Sequence, residues 1–260
     1  MIKFFRRIRQ KLLSENKFSK YLLYAFGEIV LVVIGILIAL QINTWNSLQI
    51  ESKKEKEYLN SIIEDIKIQS ILVKGQIKHE VKMRQKCEMA LEHLNTFNVN
   101  TDSLNLYLAD ITRKSFVVND PTFQDLKSSG NLLIIKNHTL RKKIISFYQY
   151  LNYTALVVQT GNENVVAGFR DFLLKYSVVD MNYQEDVKVA GDVDWSLKSV
   201  NASWATSIQK KNFKDEEYLF MVLNHISQRG RVSSVNLDLM QRMQKRIEEM
   251  KSELEKYSMQ

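Results

Sequence analysis

Few residues in this chain could carry out chemistry. Cys87 is the only cysteine, which excludes an intrachain disulfide and a cysteine-only metal site. His79, His93, His138 and His225 show no HExxH or other ligand spacing. His79 and Cys87 lie eight residues apart and could share a helical face, but two ligands from one helix do not complete a metal site. Ser128, Ser129 and Gly130 lack the strand-then-helix G-x-S-x-G context of a nucleophile elbow, and neither a P-loop nor a dinucleotide fingerprint occurs. Asp192 with Asp194, and Glu216 with Glu217, are paired carboxylates in polar segments where solvation accounts for them. The expectation is a chain that is not an enzyme and takes no metal and no cofactor.

Glu28 stands apart. It sits inside YLLYAFGEIVLVVIGILIALQI, Tyr21 to Ile42. A charged carboxylate at membrane depth costs about 2.5–3.5 kcal/mol on insertion scales, and such groups usually face a partner or a water-filled path. Gly35 follows seven residues on and Ala39 four after that, so Glu28, Gly35 and Ala39 share one helical stripe with a small-xxx-small step. That stripe is read in two ways: as a helix-association face, or as a boundary carboxylate about 6 Å along the axis from Tyr24 and within snorkelling reach of water.

The element that positions Glu28 is the apolar run itself. As a helix it rises about 33 Å, enough to cross a bilayer core, so a transmembrane helix is expected over 21–43. Residues 1–20 carry Lys3, Arg6, Arg7, Arg9, Lys11, Lys17 and Lys20 against Glu15 alone. After the span, Lys53, Lys54 and Lys56 alternate with Glu51, Glu55 and Glu57, and this bias places the N-terminus in the cytoplasm and residues 44–260 outside. An uncleaved anchor is expected, because the basic region is long, the apolar core exceeds that of a signal peptide and no A-x-A site follows Leu40. Ile2, Phe4, Phe5, Ile8 and Leu12 recur among Lys3, Arg6, Arg7, Arg9 and Lys11. This is the pattern of a basic amphipathic helix on anionic lipid, although a topology signal alone would need the same charges.

A net charge of +8 invites a nucleic-acid reading until it is located. Residues 1–20 contribute +6 of it, leaving the other 240 residues at +2. No nucleic-acid partner is expected.

One proline and eight glycines in 260 residues, with no sustained period-two alternation, predict an all-α fold. It would comprise one N-terminal transmembrane helix followed by a long-helix, coiled-coil-like bundle. From Leu59 a heptad seam runs through Ile63, Ile66, Ser70, Val73, Ile77, Glu80, Arg84, Cys87 and Leu91 to Leu94, apolar except at Ser70, Glu80 and Arg84. Its middle should be wet or mismatched. A short helix is expected from about Thr101 through Lys114. Another should open at Pro121 and end at Gly130 in the C′ position, where the Ser128 and Ser129 hydroxyls would satisfy helix-end carbonyls. Amphipathic helices should cover about Leu140–Tyr176 and Asp215–Tyr257, with an irregular excursion, including a short strand pair, near 177–205. The charges of QRMQKRIEEMKSELEKY fit a solvated face. An up-and-down bundle is the simplest packing.

The opening MIKFFRRIRQKLL, the anchor GEIVLVVIGILIALQINTWN and the later TFQDLKSSGNLLIIKNHTLRKKI together resemble an uncharacterised family of single-pass membrane proteins common in Bacteroidota. The resemblance implies a bacterial inner membrane with the bulk of the chain in the periplasm. It sets Glu28 in an anchor motif with Gly27, Gln41, Asn43, Trp45 and Asn46, and it lends no catalytic role. The expected function is protein–protein interaction or envelope scaffolding, with the lipid bilayer and a protein partner or a second copy as contacts. Two alternatives stay open: a periplasmic sensor or ligand-binding module signalling through a separate membrane partner, and an accessory subunit of an ion-driven membrane complex using Glu28.

Overall fold

The computed structural model describes residues 18–95, 104, 108, 113–176 and 203–258. Among these the fold is all-α, as the scarcity of proline and glycine predicts. The elements are α1 (Phe18–Asn95), α2 (Pro121–Ser128), a 3-10 turn (Asn131–Ile134), α3 (His138–Gly161), a π-helical turn (Asn162–Val166), α4 (Ala167–Tyr176), α5 (Ser203–Asn212) and α6 (Glu216–Ser258). The basic residues Lys3, Arg6, Arg7, Arg9 and Lys11, and most of the excursion expected near 177–205, lie outside the described residues. Ser203 to Ala205, expected within that excursion, belong to α5.

The chain divides into two compact units, Met1–Glu57 and Tyr58–Gln260. In the first, α1 carries an apolar stretch whose mean hydropathy reaches 2.5 over 18 residues, none of it buried by protein. By length and composition this helix can cross a membrane.

The second unit is a helical bundle. Asp215 caps α6, its Oδ1 accepting from the backbone N–H groups of Glu217 (2.9 Å) and Tyr218 (3.3 Å). Asn137 caps α3 in the same way through Leu140 N–H (3.0 Å). Pro121 takes the first position of α2, where its missing N–H costs nothing, and Gly130 ends the turn in the left-handed region at φ 72°. Both serine hydroxyls predicted to satisfy carbonyls there donate to Asp125 O, Ser129 at 2.7 Å and Ser128 at 3.3 Å.

Buried apolar side chains of the described residues gather in two clusters. One joins Leu59, Ile66 and Val73 of α1 to Ile144 and Leu151 of α3 and to Met243, Ile247 and Leu254 of α6. The other joins Cys87 and Ala90 of α1 to Leu104 and Leu108, to Phe169 and Phe172 of α4, and to Tyr218, Val222 and Ile226 of α6. Between the clusters α1 and α3–α4 therefore run the same way, while α6 returns. The segment that leads into α2 departs from expectation. The short helix expected through Lys114 does not reach it, since Arg113 to Asp120 are not helical and form an extended strap, Lys114 meeting α1 at Gln76 and Asn119 meeting it at Asp65. Phe116, Val117 and Val118 favour extension, and Pro121 biases Asp120 away from the helical region.

The strap explains a second departure. An extended strand packed on helices cannot satisfy its own backbone polar groups. Side chains of α1 do so: Gln76 Nε2 donates to Lys114 O (3.2 Å), Gln69 Nε2 to Val117 O (3.2 Å), and Gln69 Oε1 accepts from Asn119 N–H (2.6 Å). Asp65 Oδ2 accepts from Thr122 N–H (3.0 Å). The expected seam is right at Leu59, Ile63, Ile66, Val73, Glu80 and Cys87, all buried. It is corrected at alternate positions, where Ile62, Gln69, Gln76, Met83 and Ala90 are the more deeply buried set. Arg84 faces solvent and pairs with Glu88 (2.9 Å).

Candidate functional site

Of the residues that the sequence singles out, Gly35 and Ala39 lie exposed on α1, and a Cβ built on Gly35 would meet nothing within 4 Å. Glu28 is half-buried and has an interaction partner. The stripe is thus open to another helix or to lipid along Gly35 and Ala39.

The remaining candidates for chemistry lie in the bundle. Cys87 is buried, and desolvation pushes its thiol up to about 11, so it is protonated and unreactive at neutral pH. His225 rests against the rings of Phe169 (5.3 Å between centroids) and Phe172 (5.0 Å), where burial lowers its pKa. His138 is exposed at the start of α3. Among the described residues no group of three or more His, Cys, Asp or Glu is gathered that could hold a metal ion.

The dominant polar feature is one that the seam argument read only as a lapse at Glu80. Between the two apolar clusters lies a closed layer of polar side chains. Glu80 and Arg229 are both fully buried, with Arg229 Nη1 3.4 Å from Glu80 Oε2. A buried pair of this kind persists only when the remaining polar atoms are satisfied. Glu80 Oε1 accepts from Gln76 Nε2 (3.0 Å) and Asn236 Nδ2 (3.1 Å), and Arg229 Nη1 donates to Ser233 Oγ (2.5 Å). Asn162, at the start of the π turn, donates through Nδ2 to the same Lys114 carbonyl that Gln76 reaches (3.1 Å). His79 flanks the layer. Its pKa is lowered first by burial, against the opposing pull of Glu80, and further by Arg229, Lys114 and Lys82.

Arg229, Ser233 and Asn236 fall at i, i+4 and i+7 of α6, and Gln76 and Glu80 at i and i+4 of α1. The spacing was there to be read, but these residues look like a solvated face until a partner helix is known. The layer holds the Glu80 carboxylate through both oxygens, while Gln76 Oε1, Asn162 Oδ1 and His79 Nε2 are buried with no hydrogen-bond partner among the described residues. Its carboxylate and its guanidinium are engaged with each other.

A family model, described as a family of unknown function (DUF6090), matches residues 28–164, more than half of the chain. The matched stretch runs from Glu28 through Gln76, Glu80, the strap and Asn162, and stops short of Arg229. No curated protein and no solved structure matches the chain.

Proposed function

We propose, for a chain that belongs to the DUF6090 family of unknown function, a role as a single-pass protein of the bacterial inner membrane whose helical bundle acts in the periplasm by protein–protein interaction or scaffolding. The observation that carries this reading is the exposure of the apolar side chains of α1, from Leu22 through Ile38 and Leu40 to Trp45. Protein does not cover them, and lipid with a partner helix is what would. The seven basic residues against one acid in 1–20 support an N-terminus in the cytoplasm.

The reading includes no catalytic role and no nucleic-acid partner. Cys87 is held protonated, both Glu80 oxygens are engaged by neighbours, and most of the basic excess lies in the N-terminal segment. Two measurements test the proposal. Alkaline phosphatase fused after Gln260 should be active in cells, and an inactive, stably expressed fusion would refute the orientation. In a Cys87→Ala background, Gly35→Cys should give a disulfide-linked dimer or an adduct with another membrane protein in native membranes. Absence of both would remove the association reading.

A further inference from the structure

The buried polar layer coincides with other interruptions at the same level of the bundle. Each of the long helices that cross it carries a glycine beside the polar residue it contributes: Gly75 next to Gln76, Gly161 next to Asn162, Gly230 next to Arg229. Helix-interior glycine weakens a helix relative to alanine. At all three positions a neighbour lies close, since a Cβ on Gly75 would meet Lys114 Nζ at 3.2 Å, one on Gly161 would meet Val232 at 3.3 Å and one on Gly230 would meet Cys87 at 3.4 Å. The α-helical ladder of α3 also lapses here, into the π turn Asn162–Val166, a form that recurs at functional sites. The apolar clusters on either side share no residue. Contact across this level is therefore made largely by polar side chains, whose net contribution to cohesion is small compared with apolar packing.

We propose that this layer is a hinge line. The half of the bundle built on Cys87, Ala90, Phe169, Phe172, Val222 and Ile226 opens and re-forms as one unit while the half built on Leu59, Ile66, Leu151 and Ile247 stays closed. Opening separates Glu80 from Arg229 and lets both be hydrated, so the transition needs no new partner for either charge. The alternative physical role of a buried ion pair is a rigid register pin, in which case the bundle opens only as a whole.

Hydrogen–deuterium exchange on the intact protein in detergent micelles separates the two. The hinge predicts that amides of 83–95, 167–176 and 216–228 share one opening rate at least tenfold above that of 59–73, 140–158 and 240–254. A single rate common to both sets would overturn it. The double variant Glu80→Met/Arg229→Met, which replaces both buried charges with apolar side chains, should slow opening of the first set at least tenfold and bring it to the level of the second. Should that variant fail to fold, Glu80→Gln removes the charge with little change of shape and should raise exchange in the first set alone. An equal change in both sets, or none, would refute the hinge.

Discussion

Glu80 and Arg229 are worth different amounts together and apart. Removing one partner leaves a charge buried and uncompensated, so Arg229→Met should cost about 3–5 kcal/mol of stability, whereas Glu80→Met/Arg229→Met should be at least as stable as the native chain. Thermal melts of the four combinations followed by circular dichroism would measure the coupling. Acid should act through different side chains. His79 and His225 both have pKa values lowered from 6.5 in the folded chain, so below pH 6.5 the unfolded chain binds more protons than the folded one. The stability they contribute is complete above that value and is lost as pH falls through it towards their folded values. Melting temperature should therefore drop between pH 7.5 and 5, and His225→Phe, which keeps an aromatic ring against Phe169 and Phe172, should reduce the drop.

At the scale of elements, the helix ends and the helical class were legible because capping and turn chemistry are local. Asp215, Pro121 and Gly130 act within a few residues of themselves, so helix limits near these positions can be read from the sequence, although the capping role of Asp215 emerges only from its hydrogen bonds. Gly130→Ala should cost about 1–2 kcal/mol from backbone conformation alone, since nothing lies within 4 Å of the added Cβ; thermal melts would register it. The strap was not legible. A heptad search assumes that the facing element is another helix and so rejects Gln69 and Gln76 as seam residues. They are buried because an extended backbone lies opposite and needs their amides. Gln69→Leu should destabilise by about 1–3 kcal/mol, the cost of stranding the Val117 carbonyl and Asn119 N–H, and denaturant titration would show it. The polar layer escaped for a related reason, since its acid and its base lie 149 residues apart and nothing local couples them.

For the whole molecule, the exposed apolar length of α1 governs handling. The intact protein should remain with membranes through alkaline carbonate extraction and enter solution only with detergent; release by carbonate alone would contradict a spanning helix. The long separation between Glu80 and Arg229 has a further consequence for biogenesis. Synthesis delivers the carboxylate long before the guanidinium, so a nascent chain that has made α1, the strap and α3 still lacks the counter-ion its interior requires. Closure of the layer therefore waits for α6, which supplies Arg229. A fragment ending at the family-matched boundary, 28–164, would be arrested at that stage. Quality control could thus discriminate complete from truncated chains by one long-range contact.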